Sequence, residues 1–116
     1  MQSQAAAPTI EERDRMQRLP MLGCVVCWLQ GRYSLGTVHH ILIGGQRLGH
    51  SATISLCPWH HQSIPLGGMT SSLCYSMLGP PLGGQHARKR EFVGLYGSEL
   101  ELLGFQDEIL ARIGTA

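Results

Sequence analysis

Cys24 and Cys27 are separated by two residues in C-V-V-C, and Cys57 and His60 likewise by two in C-P-W-H. Two such knuckles bring three thiolates and one imidazole to a single tetrahedral centre, the donor set and spacing of a structural zinc. A lone C-x-x-C also suits a redox dithiol, but no βαβ pattern surrounds this one, and the second knuckle offers it another use. A third reading buries the cysteines as small hydrophobes and leaves the matched spacing without a reason. Cys74 has no partner at knuckle spacing and is expected to be a plain thiol.

With those ligands assigned, His39, His40, His50, His61 and His86 remain. In T-V-H-H-I the adjacent histidines of a strand end point to opposite faces, so one can hold a metal while its neighbour meets a substrate. His61 follows His60 and, on a helix, points about 100° away from it, which lets it face the strand. Each has a plainer alternative: an ordinary strand end for His39 and His40, a solvated loop for His50, a structural place for His61. His86 lies beside Arg88, Lys89 and Arg90, a patch that suits phosphate contacts or simply a solvated surface.

The charges are unevenly placed. All acidic residues lie near the two ends, Glu11, Glu12 and Asp14 at one and Glu91, Glu99, Glu101, Asp107 and Glu108 at the other, so the net charge of +1 averages unlike regions. The stretch between Arg15 and Arg90 has no carboxylate and holds every histidine and cysteine. It therefore lacks the carboxylate pair of a glycosidase and the carboxylates of a hard-metal cluster, and its chemistry is expected to run on His and Cys. Arg32 and Arg47 flank the histidine pair and are expected to hold phosphate groups across it. Trp59 is expected to pack the zinc knuckle rather than stack on a base.

The elements that must position these groups are short. Thr9 and Glu12 form a capping-box pattern opening a helix to about Arg18, where Pro20 disfavours continuation. Ser98 and Glu101 repeat the pattern for a helix spanning roughly 98 to 113. Tyr33 to Ile43 and Ala52 to Leu56 read as a two-stranded hairpin with a long Gly-rich loop, and Pro58 suits the first turn of a short helix carrying His60 and His61. Residues 65–89 read as a loop, with one buried turn at Leu73, Met77 and Leu78. The chain of 116 residues is expected to be one domain over residues 9–116 behind a flexible tail at 1–8, with Gln2 to Ala7 frayed. The fold class is α+β, with flanking N- and C-terminal helices. No signal peptide or membrane span is visible, so the expected location is intracellular.

Taken together, C-V-V-C, V-H-H-I and L-C-P-W-H-H resemble a small zinc-stabilised ββα-metal, or HNH, nuclease domain. The run from Met21 through Gln62, with H-H-I-L-I-G-G-Q-R-L-G-H and L-C-P-W-H-H-Q, is similar to the phage recombination enhancement nucleases of the Ref family, which act on DNA with RecA. G-P-P-L at Gly79 and the later R-E-F and L-Y-G-S-E-L-E-L-L also match that family's tail, so the resemblance covers about residues 18–110. It implies a metal-dependent DNA endonuclease with His40 as the general base and His39 and His61 as ligands to a divalent cation, Mg2+, Mn2+ or Zn2+. It implies a RecA–DNA filament as partner and the cytoplasm of a phage-infected or prophage-carrying bacterial cell as location. The chain contains no Asn, so the middle letter of the HNH name is missing, and His50 or a nearby backbone carbonyl is the candidate to orient the base. The competing reading is a non-catalytic zinc module that binds DNA or a recombination partner through its cationic middle; a thiol redox protein is a distant third.

Overall fold

The computed structural model describes residues 7–114; most of the expected tail lies outside the described residues. Among them the chain forms a small α+β domain of six helices and two small antiparallel sheets.

Helix α1, Ile10–Leu22, opens on the expected capping box: Glu12 N donates to Thr9 Oγ1 at 3.1 Å and Thr9 N to Glu12 Oε1 at 2.9 Å. It does not stop near Arg18 but runs through Pro20. Proline removes one donor there, and tertiary donors hold the last-turn carbonyls instead. Gly36 N bonds Pro20 O at 3.0 Å, Tyr33 Oη bonds Met21 O at 2.7 Å, and Trp28 Nε1 bonds Leu22 O at 2.7 Å. Gly23, at φ 97°, then turns the chain into α2, Val25–Leu29.

The expected hairpin is shorter and divided. Strand β1, Thr37–His40, pairs with β4, Thr53–Leu56, placing His39 opposite Ile54 and His40 opposite Thr53. Between them β2, Leu42–Ile43, and β3, Gln46–Arg47, form a separate ribbon. Gly44 and Gly45 turn it with φ 60° and 81°, the positive pair a tight two-residue turn requires. Residues 33–36 include Tyr33 and Leu35 but are not in a strand.

Strand β4 is buried along its whole length, so its outer edge needs polar partners. Gln106 of α6, Glu99–Gly114, supplies them: Ser55 N donates to its Oε1 at 2.7 Å and its Nε2 donates to Thr53 O at 3.0 Å. Arg15 of α1 also donates to Thr53 O, at 2.6 Å, and pairs with Asp107 at 2.9 Å. The terminal helices thus close over the strand that frames the histidines, around a core that includes Ile41, Ile54, Leu56, Trp59, Phe92 and Leu102.

Helix α3, Pro58–Gln62, begins at Pro58 as expected. Residues 65–89 are for the most part loop, as expected, but they also hold a helix, α4, Ser71–Leu78, capped by Thr70, and α5, Lys89–Tyr96, begins at the end of this stretch. Cys74 and Leu78 are the buried residues of α4, whereas Leu73 and Met77 are exposed, so the buried face differs from the expected turn. With only two inward residues and a Gly, Pro and Ser background, α4 shows little periodicity in the sequence.

Candidate metal centre and histidine cluster

The four knuckle residues converge. Cys24 is the N-cap of α2 with Cys27 one turn on, and Cys57 is the N-cap of α3 with His60 one turn on. All four are buried, and their donor atoms lie within 4.8 Å of one another. His60 Nδ1 stands 3.5, 3.8 and 3.3 Å from the sulfurs of Cys24, Cys27 and Cys57. Zinc bonds of about 2.3 Å to sulfur and about 2.0 Å to nitrogen give a tetrahedral N···S edge of roughly 3.6 Å, so the cluster has the dimensions of a closed zinc site. Burial pushes the Cys24 thiol up, whereas hydrogen bonds from Cys24 and Cys27 hold Cys57 well below the usual thiol range. Burial disfavours the charged form of His60, but its contacts with Cys27 and Cys57 outweigh that and push it up to about 9. The lowered Cys57 thiol favours the thiolate, the form in which sulfur binds zinc.

His60 Nε2 donates to Leu78 O at 2.7 Å, which fixes the tautomer and leaves Nδ1 as the ligand atom. That carbonyl, at the end of α4, also accepts from Gln30 Nε2 at 2.9 Å and Tyr96 Oη at 3.0 Å. Trp59, fully buried as expected beside the knuckle, donates from Nε1 to Gly79 O at 2.9 Å. Cys74 is buried and lies outside the cluster.

The second histidines divide by face, as strand alternation requires. His39 faces α3, with its ring centroid 5.0 Å from that of His61. Thr37 Oγ1 gives its one proton to Leu56 O at 2.8 Å, so the 2.7 Å contact with His61 Nδ1 is a donation from the ring to the hydroxyl. His61 Nε2 therefore carries the lone pair. Burial, then the charge of His39, lowers the His61 pKa, favouring the neutral imidazole a metal needs. His40 faces the other way, its Nε2 3.2 Å from His50 Nδ1, with ring centroids 5.4 Å apart. Burial, then the charges of Arg47 and His50, lowers its pKa and favours the neutral form.

A carboxylate joins the first pair, against the expectation that this chemistry runs on His and Cys alone. Glu99, the first residue of α6, accepts from His39 Nε2 at 2.7 Å, and Lys89 Nζ lies 3.7 Å from its other oxygen. The hydrogen bond from His39 holds the Glu99 carboxyl below its ordinary pKa. In the sequence Glu99 lies sixty residues from His39, and S-E-L-E signals only a helix start. Arg15, Gln30 and Gln106 were equally without a local signal.

The cationic residues are distributed unequally. Arg47 sits on β3, close enough for its charge to act on His40. Arg88 is the N-cap of α5, and Lys89 and Arg90 are its first residues. Arg88 and His86 share a polar cleft with Ser71, Ser72 and Tyr75. Arg32 is turned to α4: its Nη2 donates to Met77 O at 2.8 Å and to Gln30 Oε1 at 3.3 Å. Among the described residues no helix is long and apolar enough to cross a membrane.

No individual curated protein matches the chain. Residues 8–111, nearly all of the fold just described, match the family described as recombination enhancement, RecA-dependent nuclease, and the chain belongs to that family of nucleases.

Proposed function

We propose that the protein is an HNH-type, metal-dependent DNA endonuclease that hydrolyses phosphodiester bonds during recombination of phage or prophage DNA, with a RecA–DNA filament as its partner. The observation that carries this reading is the division of the histidine pair, with His39 beside His61 on one face of β1 and His40 beside His50 on the other. Strand β1, strand β4 and helix α3 follow the ββα order, and Cys24, Cys27, Cys57 and His60 would hold a structural zinc.

His39 and His61 would be the ligands of the catalytic cation, and imidazoles beside a carboxylate suit a divalent ion. Such an ion would polarise the scissile phosphate and stabilise the leaving oxygen. His40 accepts the proton of the attacking water. In the tautomer that does this, His40 Nε2–H donates to His50 Nδ1 and the lone pair remains on His40 Nδ1. His50 takes the orienting place of the missing Asn. Arg47, Arg88, Lys89 and Arg90 bind phosphates, and Arg32 supports that face through α4.

The test is His40→Ala. A positioned general base contributes about 10²–10⁴-fold, so nicking of single-stranded and RecA-coated DNA is expected to fall by that factor while zinc content and fold are kept. Unchanged nicking would refute the mechanism. DNA binding without strand breakage by the unaltered protein, with Mg2+, Mn2+ or Zn2+ supplied, would favour a non-catalytic zinc module.

A further inference from the structure

We propose that Glu99 is a positioning residue of the cation site: by holding the Nε2 proton of His39, it makes Nδ1 of that imidazole the ligand atom. The inference rests on the reading of His39 and His61 as ligands of a divalent cation. Glu99 Oε1 lies 2.7 Å from His39 Nε2, and the Glu99 side chain is only 12% exposed. A nearly buried carboxylate is costly unless it is paired, and this one is paired on both oxygens, by His39 and by Lys89 Nζ. Its origin is fixed as well. Ser98 and Glu101 close a capping box around it, with Ser98 N donating to Glu101 Oε1 at 2.8 Å and Glu101 N to Ser98 Oγ at 3.1 Å, so the first turn of α6 presents Glu99 in one place.

A neutral imidazole has one N–H and one lone pair, so a carboxylate on Nε2–H decides which nitrogen meets a cation and increases its basicity. His61 is set in the same manner by a different group, since its Nδ1–H is held by Thr37 and its Nε2 is left as the donor. Among the described residues Glu99 does not join His39 and His61 in a group of three side chains placed to hold one ion, and its Oε1 is engaged with His39 Nε2, so Glu99 acts through His39 rather than as a direct ligand.

The experiment titrates Mn2+ into the zinc-loaded chain and reads bound metal from the loss of the free-ion electron paramagnetic resonance signal. The unaltered chain is expected to bind one Mn2+ beyond its zinc; if it binds none, the assignment of His39 and His61 falls and this inference with it. Glu99→Ala is expected to weaken Mn2+ binding about 10–100-fold with zinc retained. Glu99→Gln, whose amide oxygen still accepts the Nε2 proton, is expected to recover most of that loss. If the chain binds Mn2+ but Glu99→Ala binds it equally well, or Glu99→Gln is as weak as Glu99→Ala, the positioning role is overturned while the cation site stands. A fold lost in Glu99→Ala leaves a direct measurement on the unaltered protein. Nitrogen NMR of its imidazoles with a second equivalent of Zn2+ is expected to show His39 protonated on Nε2; protonation on Nδ1 would overturn the proposal.

Discussion

Replacing Gln106 with Leu removes the polar closure of β4 while nearly keeping the side-chain volume. Gln106 is fully buried and spans Ser55 N and Thr53 O. Alternate residues of an antiparallel strand turn their N–H and C=O to the same side, so both groups point away from β1 and cannot pair with it. In Gln106→Leu the Thr53 carbonyl keeps the guanidinium of Arg15 at 2.6 Å, but the Ser55 N–H is left unpaired in the interior. An orphaned buried donor costs about 1–3 kcal/mol, and the weakened Thr53 end adds a fraction of that, so the expected loss is about 2–3 kcal/mol. Urea unfolding at a fixed excess of zinc measures it, because free zinc sets the apparent stability of a zinc-bound fold. With an unchanged slope, the midpoint shift gives the difference. A loss below about 0.5 kcal/mol, the range of an ordinary surface change, would refute the claim that Gln106 seals this edge.

Cys57→Ala is expected to lose zinc and, with it, the cooperative fold, since structural zinc contributes on the order of 10 kcal/mol against a net stability of about 5–15 kcal/mol. Circular dichroism and metal analysis check this, and a retained thermal midpoint would overturn the zinc assignment. For DNA binding, Arg90→Gln is expected to reduce the slope of log affinity against log salt by about 1, the change for one lost phosphate contact. Arg32→Gln is expected to leave that slope unchanged, because its guanidinium is engaged at the end of α4; an equal drop for Arg32 would place it on the DNA.

What the sequence disclosed follows from how locally each signal is written. The four residues of the candidate zinc site are two pairs with i, i+3 spacing, each pair brought together by one turn of backbone, so their meeting needed only that α2 and α3 pack together. The opposite faces of His39 and His40 follow from strand alternation alone, and both terminal helices carried their capping boxes in the sequence. Pro20 misled because the donors that carry α1 past it, from Tyr33, Trp28 and Gly36, are tertiary. Helix α4 was hidden because a two-turn helix with two inward residues has almost no period to detect. Glu99 was invisible for a different reason. A scan for carboxylates near the histidines is a scan along the chain, and α6 returns across β4 to deliver one from the other end.

The carbonyl of Leu78 gathers His60, Gln30 and Tyr96, and Tyr96 is the last residue of α5. Helix α5 is thus a lever about 12 Å long, pinned at its far end beside the Cys24, Cys27, Cys57 and His60 cluster and loaded at its near end, where Lys89 meets Glu99. A tilt of roughly 10° about the pinned end moves the other by about 2 Å over that length, enough to part an ion pair of 3.7 Å. A cation held by His39 and His61 would thus be linked through α5 to one held by the cysteines, and thermodynamic linkage would make the effect mutual: whatever one ion adds to the affinity for the other is returned in equal measure.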